Sequence, residues 1–168
     1  MSDTPKNVLF LCTHNSARSV MAEALLNRFS GGRFKAYSAG SSPTGKINPY
    51  VAALLEKLGF DISGFRSKPW DEFAAPGAPQ MNFVFTVCDQ AAGEVCPVWP
   101  GQPMTAHWGF PDPSSAVGSE AEKAAFTADV FRMIERRIRI FTALPLTTLS
   151  NLEIKKKIDE LGQDRSGA

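Results

Sequence analysis

The feature that most constrains this chain is an apolar strand that runs directly into a short polar loop and then into a helix. Asn7 to Leu11 form an apolar run that predicts a buried strand, and a helical pattern begins at Ser19. The loop between them begins at Cys12 and ends at Arg18, and its residues are small or polar. Such a loop predicts a ring of backbone N–H groups at a helix N-terminus, which binds a tetrahedral oxyanion and favours a thiolate. We therefore expect Cys12 to be a nucleophile toward a phosphate-like centre.

Strands alternate with helices along the rest of the chain. Predicted strands lie at 7–12, 34–39, 83–87 and 104–108, and predicted helices at 19–30, 49–58, 118–144 and 149–161. Because the strands are apolar on both faces, the pattern predicts an α/β fold with a four-stranded parallel sheet and helices on both faces. We place this single domain at residues 1–145, followed by a C-terminal helical extension and tail at 146–168. The arginines between 132 and 139 are predicted to form a solvated helix face.

Length and charge exclude several classes of protein. A chain of 168 residues fits one domain, and a formal net charge of +1 gives no electrostatic footprint for nucleic acid or an anionic membrane. No stretch approaches the roughly 18 apolar residues that a membrane span needs. Residues 1–6 lack the features of a signal peptide. We therefore expect a cytoplasmic monomer whose three cysteines rest as thiols.

Chemically capable side chains fall at the ends of three predicted strands. Cys12, Cys88 and the pair His107-Trp108 end the first, third and fourth strands. In parallel sheets the functional site lies beyond the carboxyl ends of the strands, so we expect these residues to meet at one edge. A cysteine six residues before an arginine also arises by chance, and Cys12 would then be an ordinary buried residue. The flanking strand and helix, with Ser19 as a hydroxyl donor to a Cys12 thiolate, favour catalysis.

Several segments resemble one known family. The run 8–19 with Met21-Ala22-Glu23, and the run 37–40, are similar to the low-molecular-weight tyrosine phosphatase superfamily. The segments 87–97 and 107–113 resemble one branch of it, the arsenate reductases coupled to thioredoxin. The resemblance covers residues 7 to about 144. It implies a phosphatase-like fold and reduction of arsenate to arsenite, with no metal and no bound organic cofactor.

The resemblance also implies a role for each site residue. Arg18 would hold two oxygens of the oxyanion. Asp112 would be the general acid toward the leaving oxygen, whereas an ordinary Asp-Pro turn is the alternative for this residue. The implied oxyanion loop is Thr13, His14, Asn15, Ser16, Ala17 and Arg18, and the implied catalytic residues are Cys12, Arg18, Ser19, Cys88, Cys96 and Asp112.

Arsenate reduction needs two electrons, and a single thiolate supplies only a nucleophile. Sequential thiol–disulfide exchange among three cysteines meets this need, and the chain has three. The resemblance implies that a Cys12–Cys88 disulfide forms first and a Cys88–Cys96 disulfide second. Thioredoxin is the implied reductant, with glutaredoxin and glutathione as the alternative. Because a disulfide needs Cα atoms within about 7 Å, segment 88–96 is expected to move.

Other roles compete for the second and third cysteines. Cys88 and Cys96 could be two small buried hydrophobic residues, although a Cys-Pro step in a loop rich in glycine and proline fits a core position poorly. A zinc site that combines them with His14 and His107 is disfavoured, because the spacing matches no common structural zinc site.

Two positions depart from the family pattern. His14 stands where many relatives have glycine, and it would be strained if that position required a positive φ. Some relatives bind potassium through Asn, Glu, Ser and Asp residues. Asn15, Glu23 and Ser38 match three of these, but Lys68 aligns with the Asp. We therefore predict no potassium site, with the Lys68 ammonium in place of the ion, and a solvated lysine is an equal alternative.

Two other functions compete with arsenate reduction. A protein tyrosine phosphatase of this family usually carries an aromatic residue after Asp-Pro, whereas Pro113 is followed by Ser114-Ser115. Phosphatase chemistry also does not require Cys88 or Cys96. A non-enzymatic oxyanion or redox sensor would need an interaction segment, for which residues 149–161 are the candidate.

Overall fold

The computed structural model describes residues 4–87, 99 and 101–163, and strands and helices alternate along them as the sequence predicts. The predicted elements are present, with ends shifted by one or two residues. The strands are β1 (Lys6–Leu11), β2 (Phe34–Ala39), β3 (Phe83–Thr86) and β4 (Met104–His107). The α-helices are α1 (Arg18–Phe29), α2 (Pro49–Lys57), α3 (Glu120–Thr142) and α4 (Asn151–Gln163), and short 3₁₀ helices span Trp70–Phe73 and Pro113–Ser115.

The four strands form one parallel sheet in the order β2-β1-β3-β4. Leu11 at the end of β1 pairs with Ala39 of β2 and Thr86 of β3, and Thr86 pairs with His107 of β4. The carboxyl ends of all four strands therefore lie side by side. This arrangement confirms the predicted fold class and brings the residue after each strand to one edge of the sheet.

Alternate residues of each strand face opposite sides of the sheet, and both sides are covered. Val8 and Phe10 of β1 join the larger core, which contains buried apolar residues from all four α-helices named above. Leu9 and Leu11 join a smaller core on the other side, together with Phe73 of the first 3₁₀ helix. Helical segments thus cover both faces, as predicted from strands that are apolar throughout.

The start of α2 follows the predicted chemistry, and the start of α3 is also capped by a side chain. The side chain of Asn48 accepts hydrogen bonds from the backbone N–H groups of Tyr50 and Val51 at the start of α2, with Pro49 in the first turn. Ser119 and Glu122 form a capping box at the start of α3.

None of the helices in the described residues has the length and apolar character of a membrane span.

One residue of the predicted solvated helix face is buried. Arg137 is only 8% exposed, and its guanidinium carbon lies 4.6 Å from the ring centroid of Phe110. Arg137 follows Ile134 by three residues, so both lie on the side of α3 that faces the core. The face of the Phe110 ring attracts the cation, which compensates part of its lost hydration. Arg132, Arg136 and Arg139 are exposed as predicted.

Candidate active site

The loop after β1 is shaped by hydrogen bonds to its backbone carbonyls. Cys12 begins the loop at the sheet edge, where it is 5% exposed and its N–H donates to the carbonyl of Ala39 at 3.2 Å. The next segment of the chain donates to the loop from outside. These bonds run from the backbone N–H groups of Ser42, Thr44 and Asn48 to the carbonyls of Thr13 (2.8 Å), His14 (3.2 Å) and Ser16 (2.9 Å).

Gly40 allows the end of β2 to approach the loop closely. A Cβ atom at Gly40 would lie 2.5 Å from the carbonyl oxygen of Thr13 and 2.6 Å from that of Cys12. Both neighbours are backbone atoms, which cannot rotate away as a side chain would. Gly40 also exchanges backbone hydrogen bonds with the segment at Lys68 and Trp70. The sequence places Gly40 within a family motif, but its role becomes evident only when two distant segments are brought together.

Gly40→Ala is expected to destabilise the fold and distort the oxyanion loop. Overpacking of this kind costs about 1–3 kcal/mol of unfolding free energy, which lowers the melting temperature of a chain this size by several degrees. Thermal unfolding with and without phosphate tests the expectation. Gly64→Ala is the matched control, because a Cβ at Gly64 would meet no atom within 4 Å. Equal melting temperatures for the two variants would contradict the close approach.

Asn15 is the residue of the loop that takes a positive φ. Its φ is 46°, whereas His14 is not among the residues with positive φ. The substitution of glycine by histidine at position 14 therefore causes no strain of the kind the sequence raised. Asparagine tolerates this left-handed region better than most residues.

The Asn15 side chain links the loop to three other segments. Its Nδ2 group donates to the hydroxyls of Ser19 (2.8 Å) and Ser38 (3.0 Å), and its Oδ1 accepts from the backbone N–H of Lys68 (2.9 Å). The side chain is fully buried. Any contact of Asn15 with an oxyanion must therefore come from its backbone N–H. Because Ser19 accepts from Asn15, its own hydroxyl hydrogen is available to another acceptor.

A buried lysine and a half-buried glutamate of opposite charge lie behind the loop. The hydroxyl of Ser38 donates to Glu23 Oε1 at 2.5 Å. Burial raises the pKa of Glu23, although the Ser38 hydrogen bond and the charges of Lys68 and Arg66 oppose the rise. Burial lowers the pKa of Lys68, although the charge of Glu23 opposes this change. Each residue thus makes the charge of the other less costly.

Lys68 is not the solvated lysine that was one of two alternatives. It is 7% exposed, and its Nζ donates to the carbonyl of Arg66 at 3.1 Å. A buried ammonium in this position does not fit a potassium ion, which would be repelled by it. That Lys68 takes the place of the ion stays a prediction, now supported by its burial and by its charge interaction with Glu23.

Lys68→Met is expected to make the stability of the protein fall more steeply as the pH rises. The pKa of Glu23 already lies above its ordinary 4.5, so the folded state binds a proton more readily than the unfolded state. Stability is therefore lost as pH rises through the folded-state pKa. Without the Lys68 charge this pKa rises further, and the loss becomes larger and extends to higher pH. Melting temperatures from pH 5 to 8, beside the exposed control Lys46→Met, test this; parallel curves would refute it.

Arg18 lies at the mouth of the loop with part of its guanidinium uncommitted. Its Nη1 donates to the carbonyl of Phe110 at 2.9 Å, and its Nη2 is 3.7 Å from Asp112 Oδ2. Its Nε is buried and has no hydrogen-bond partner among the residues that the structure describes. A buried donor without a partner is unfavourable, and an oxyanion in the loop would satisfy it.

The two carboxylate oxygens of Asp112 have different neighbours. Oδ1 accepts from the backbone N–H (2.9 Å) and the hydroxyl (2.7 Å) of Ser114. Asp112 thereby caps the 3₁₀ helix at Pro113–Ser115. Oδ2 faces Arg18. Asp112 therefore forms the Asp-Pro turn and also lies near Arg18, so the turn does not exclude the predicted role as general acid.

The protein's own groups favour the ionised form of Asp112. Partial burial alone would raise the pKa of this carboxyl. The hydrogen bonds from Ser114 and the electrostatic interactions with Arg18 and His14 together outweigh burial and hold the pKa of Asp112 below its ordinary value. A general acid needs a higher pKa, which a bound oxyanion would supply through its negative charge.

The structure brings Cys12, Arg18, Ser19 and Asp112 to the same edge of the sheet, around the loop of residues 13–18. His107 ends β4 at this edge, where its Nδ1 is 2.8 Å from the hydroxyl of Thr86. Cys88 and Cys96 lie outside the described residues, so the relay and the disfavoured zinc site are not tested by the geometry. The residues that sequence analysis missed are Gly40 and Phe110.

Comparison with known proteins identifies the family to which this architecture belongs. Residues 7–157 match the family of low molecular weight phosphotyrosine protein phosphatases. The chain belongs to this family. The match spans most of the chain and confirms the resemblance that the loop and the β2 motif indicated.

Several curated proteins that are similar to this chain are arsenate reductases. The arsenate reductase of Bacillus subtilis is 39% identical over 136 residues, which cover 81% of this chain and 94% of the relative. The arsenate reductase of Halalkalibacterium halodurans is 38% identical over 136 residues, with the same shares covered.

Solved structures that resemble this chain also include arsenate reductases, at lower sequence identity. The thioredoxin-dependent arsenate reductase of Corynebacterium glutamicum is 27% identical with a TM-score of 0.62, covering 88% of this chain and 66% of that one. An arsenate reductase in a phosphate-binding state is 27% identical with a TM-score of 0.66, covering 82% of this chain and 97% of that one.

Proposed function

We propose that this protein is an arsenate reductase that converts arsenate to arsenite. The observation that carries the proposal is the loop geometry. Cys12 lies buried at its start, and the uncommitted Nε of Arg18 and the carboxylate of Asp112 lie at its mouth. This arrangement suits a tetrahedral oxyanion held above a nucleophilic sulfur. The identity to curated arsenate reductases supports arsenate as that oxyanion.

The first step is attack of the Cys12 thiolate on arsenic. An S–As bond forms, one As–O bond breaks, and Asp112 donates a proton to the departing oxygen. The Arg18 guanidinium and the loop N–H groups hold the remaining oxygens and stabilise the charge that builds on them. The negative charge of bound arsenate raises the pKa of Asp112 toward the range that proton donation needs.

Reduction follows by thiol–disulfide exchange. The Cys88 thiolate attacks the Cys12 sulfur, an S–S bond forms, and the electron pair of the S–As bond leaves with arsenic as arsenite. Arsenic gains two electrons and the two thiols lose them. Cys96 then attacks the Cys88 sulfur, which releases Cys12 as a thiolate and leaves a Cys88–Cys96 disulfide for an external reductant.

Thioredoxin is the proposed reductant, because it reduces protein disulfides by the same exchange and a structural relative is thioredoxin-dependent. Glutaredoxin with glutathione is the alternative donor. A relay that begins from three thiols requires a reducing compartment, so we place the enzyme in the cytoplasm. The relay needs no second subunit, and a monomer is sufficient for it.

The decisive experiment measures arsenite production from arsenate with thioredoxin, thioredoxin reductase and NADPH, beside hydrolysis of p-nitrophenyl phosphate. Wild type should produce arsenite, whereas Cys88→Ser and Cys96→Ser should not sustain turnover. Both variants should keep the weak phosphatase activity that the shared loop confers, since phosphate ester hydrolysis needs only Cys12, Arg18 and Asp112. Efficient phosphatase activity without arsenite production would identify a phosphatase instead, and no turnover of either substrate would favour a sensor.

A further inference from the structure

Helix α4 covers the outer edge of β4. The backbone N–H groups of Met104 and Trp108 donate to carbonyls of β3 and its preceding residue, so the carbonyls of Thr105 and His107 point away from the sheet. Lys155 of α4 donates from its Nζ to the carbonyl of Thr105 at 2.6 Å. The helix thus satisfies an edge carbonyl that would otherwise need water.

The last turn of α4 lies against the second outward carbonyl. A Cβ atom at Gly162 would lie 2.0 Å from the carbonyl oxygen of His107 and 3.1 Å from the Trp108 side chain. Only glycine fits here without a shift of backbone. This contact places the C-terminal turn of the helix directly over the junction between β4 and the loop that carries Asp112.

The indole of Trp108 connects the helix to that loop. Its Nε1 donates to the backbone carbonyl of Ile158 at 2.9 Å, and the residue is 1% exposed. Its ring stacks on Phe85 of β3 with centroids 3.9 Å apart and planes 12° apart. Trp108 is therefore held between the sheet and α4, with one specific hydrogen bond that fixes the direction of the ring.

From Trp108 the chain reaches the catalytic groups within a few residues. The N–H of Phe110 donates to the carbonyl of Val87 at 3.2 Å, and the carbonyl of Phe110 receives Arg18 Nη1 at 2.9 Å. Asp112 follows two residues later, with its side chain 43% exposed and 3.7 Å from Arg18. Asp112 lies in the chain between Trp108 and the 3₁₀ helix at Pro113–Ser115. Its position therefore depends on how firmly the loop is held at Trp108.

We propose that α4 is a positioning element of the active site, acting through Trp108 and Gly162 to hold the loop that presents Asp112 to Arg18. The inference rests on the proposed function for the role of Asp112. Trp108 and Gly162 touch no reacting atom. Their contribution is the placement of the acid, and a displacement of about 1 Å at such a group can cost on the order of 100-fold in rate.

A double-mutant cycle tests the proposal. Trp108→Phe removes the indole donor to Ile158 and keeps an aromatic ring on Phe85, and Gly162→Ala forces the last turn of α4 away from His107. Each should lower kcat for arsenate by about tenfold or more and leave KM within about twofold. In an Asp112→Asn background the same changes should lower kcat by less than about twofold, because the acid they position is absent.

The controls separate positioning from loss of stability. Leu152→Ala changes an α4 side chain that is 81% exposed and should leave kcat unchanged. Equal loss of kcat in the wild-type and Asp112→Asn backgrounds, or a lower melting temperature with unchanged kcat, would overturn the proposal. The cycle is also run with p-nitrophenyl phosphate, so a wild type that fails to reduce arsenate but hydrolyses this ester overturns the reductase assignment alone. A wild type inactive toward both overturns the positioning role as well.

Discussion

Cys12→Ser will abolish arsenate reduction and phosphate ester hydrolysis together, by at least about 10⁴-fold in kcat. A serine hydroxyl is not ionised near neutral pH, so the variant lacks the thiolate that attacks the oxyanion. Cys12 is 5% exposed and its N–H bond to Ala39 involves only backbone. The substitution is nearly isosteric, so the fold and the loop should persist.

The informative measurement pairs activity with binding. Phosphate titrated into Cys12→Ser should bind within a few-fold of its affinity for wild type, because the loop backbone and Arg18 still hold the oxygens. Cys88→Ser is the matched control, since it loses the same SH group yet should keep ester hydrolysis. Residual ester hydrolysis by Cys12→Ser above about one part in 10³ would show that Cys12 is not the nucleophile.

Arg18→Lys should lower kcat/KM by about 10²- to 10³-fold, the range measured when one preorganised oxyanion donor is lost. The charge remains, but the planar fork that can hold two oxygens does not. The substitution removes the buried Nε that has no partner in the described part of the chain and the bond from Nη1 to Phe110. The loss of kcat/KM should therefore reflect both weaker binding of the oxyanion and weaker attachment of the loop that carries Asp112.

Phosphate inhibition measures the loss of oxyanion binding, and steady-state kinetics measure the total loss of kcat/KM. Arg139→Lys is the matched control. Arg139 is 57% exposed on α3 and paired with Glu135, and its guanidinium lies over the ring of Phe29 at the end of α1 opposite to Arg18. An unchanged inhibition constant for phosphate in Arg18→Lys would mean that Arg18 does not bind the oxyanion and acts only on the loop at Phe110.

The elements of this fold are readable from sequence because β1 and β3 carry buried apolar residues on both faces and each helix carries one apolar stripe. β1 and α1 differ from the predicted bounds by one residue at each end. The Asn48-Pro49 start of α2 is a local signal that needs no tertiary information. The catalytic loop follows from the same local pattern, because a strand, a polar loop and a helix define its geometry.

What sequence reasoning missed depends on contacts between distant segments. The requirement for glycine at position 40 arises from carbonyls of the loop at residues 12 and 13. The burial of Lys68, which the sequence left open between two alternatives, is compensated by the charge of Glu23, and the buried Arg137 lies over the ring of Phe110. A charged side chain in isolation predicts exposure, and only its partner in three dimensions reverses that expectation.

The contact of α4 with β4 has a consequence for solubility. A bare edge strand is a template on which another chain can pair, and proteins avoid such edges because they promote aggregation. Here Lys155 occupies the carbonyl of Thr105, and the close approach of Gly162 shields that of His107. A chain truncated after α3 would expose both groups. We therefore expect the shortened protein to self-associate at concentrations where the full chain stays dispersed.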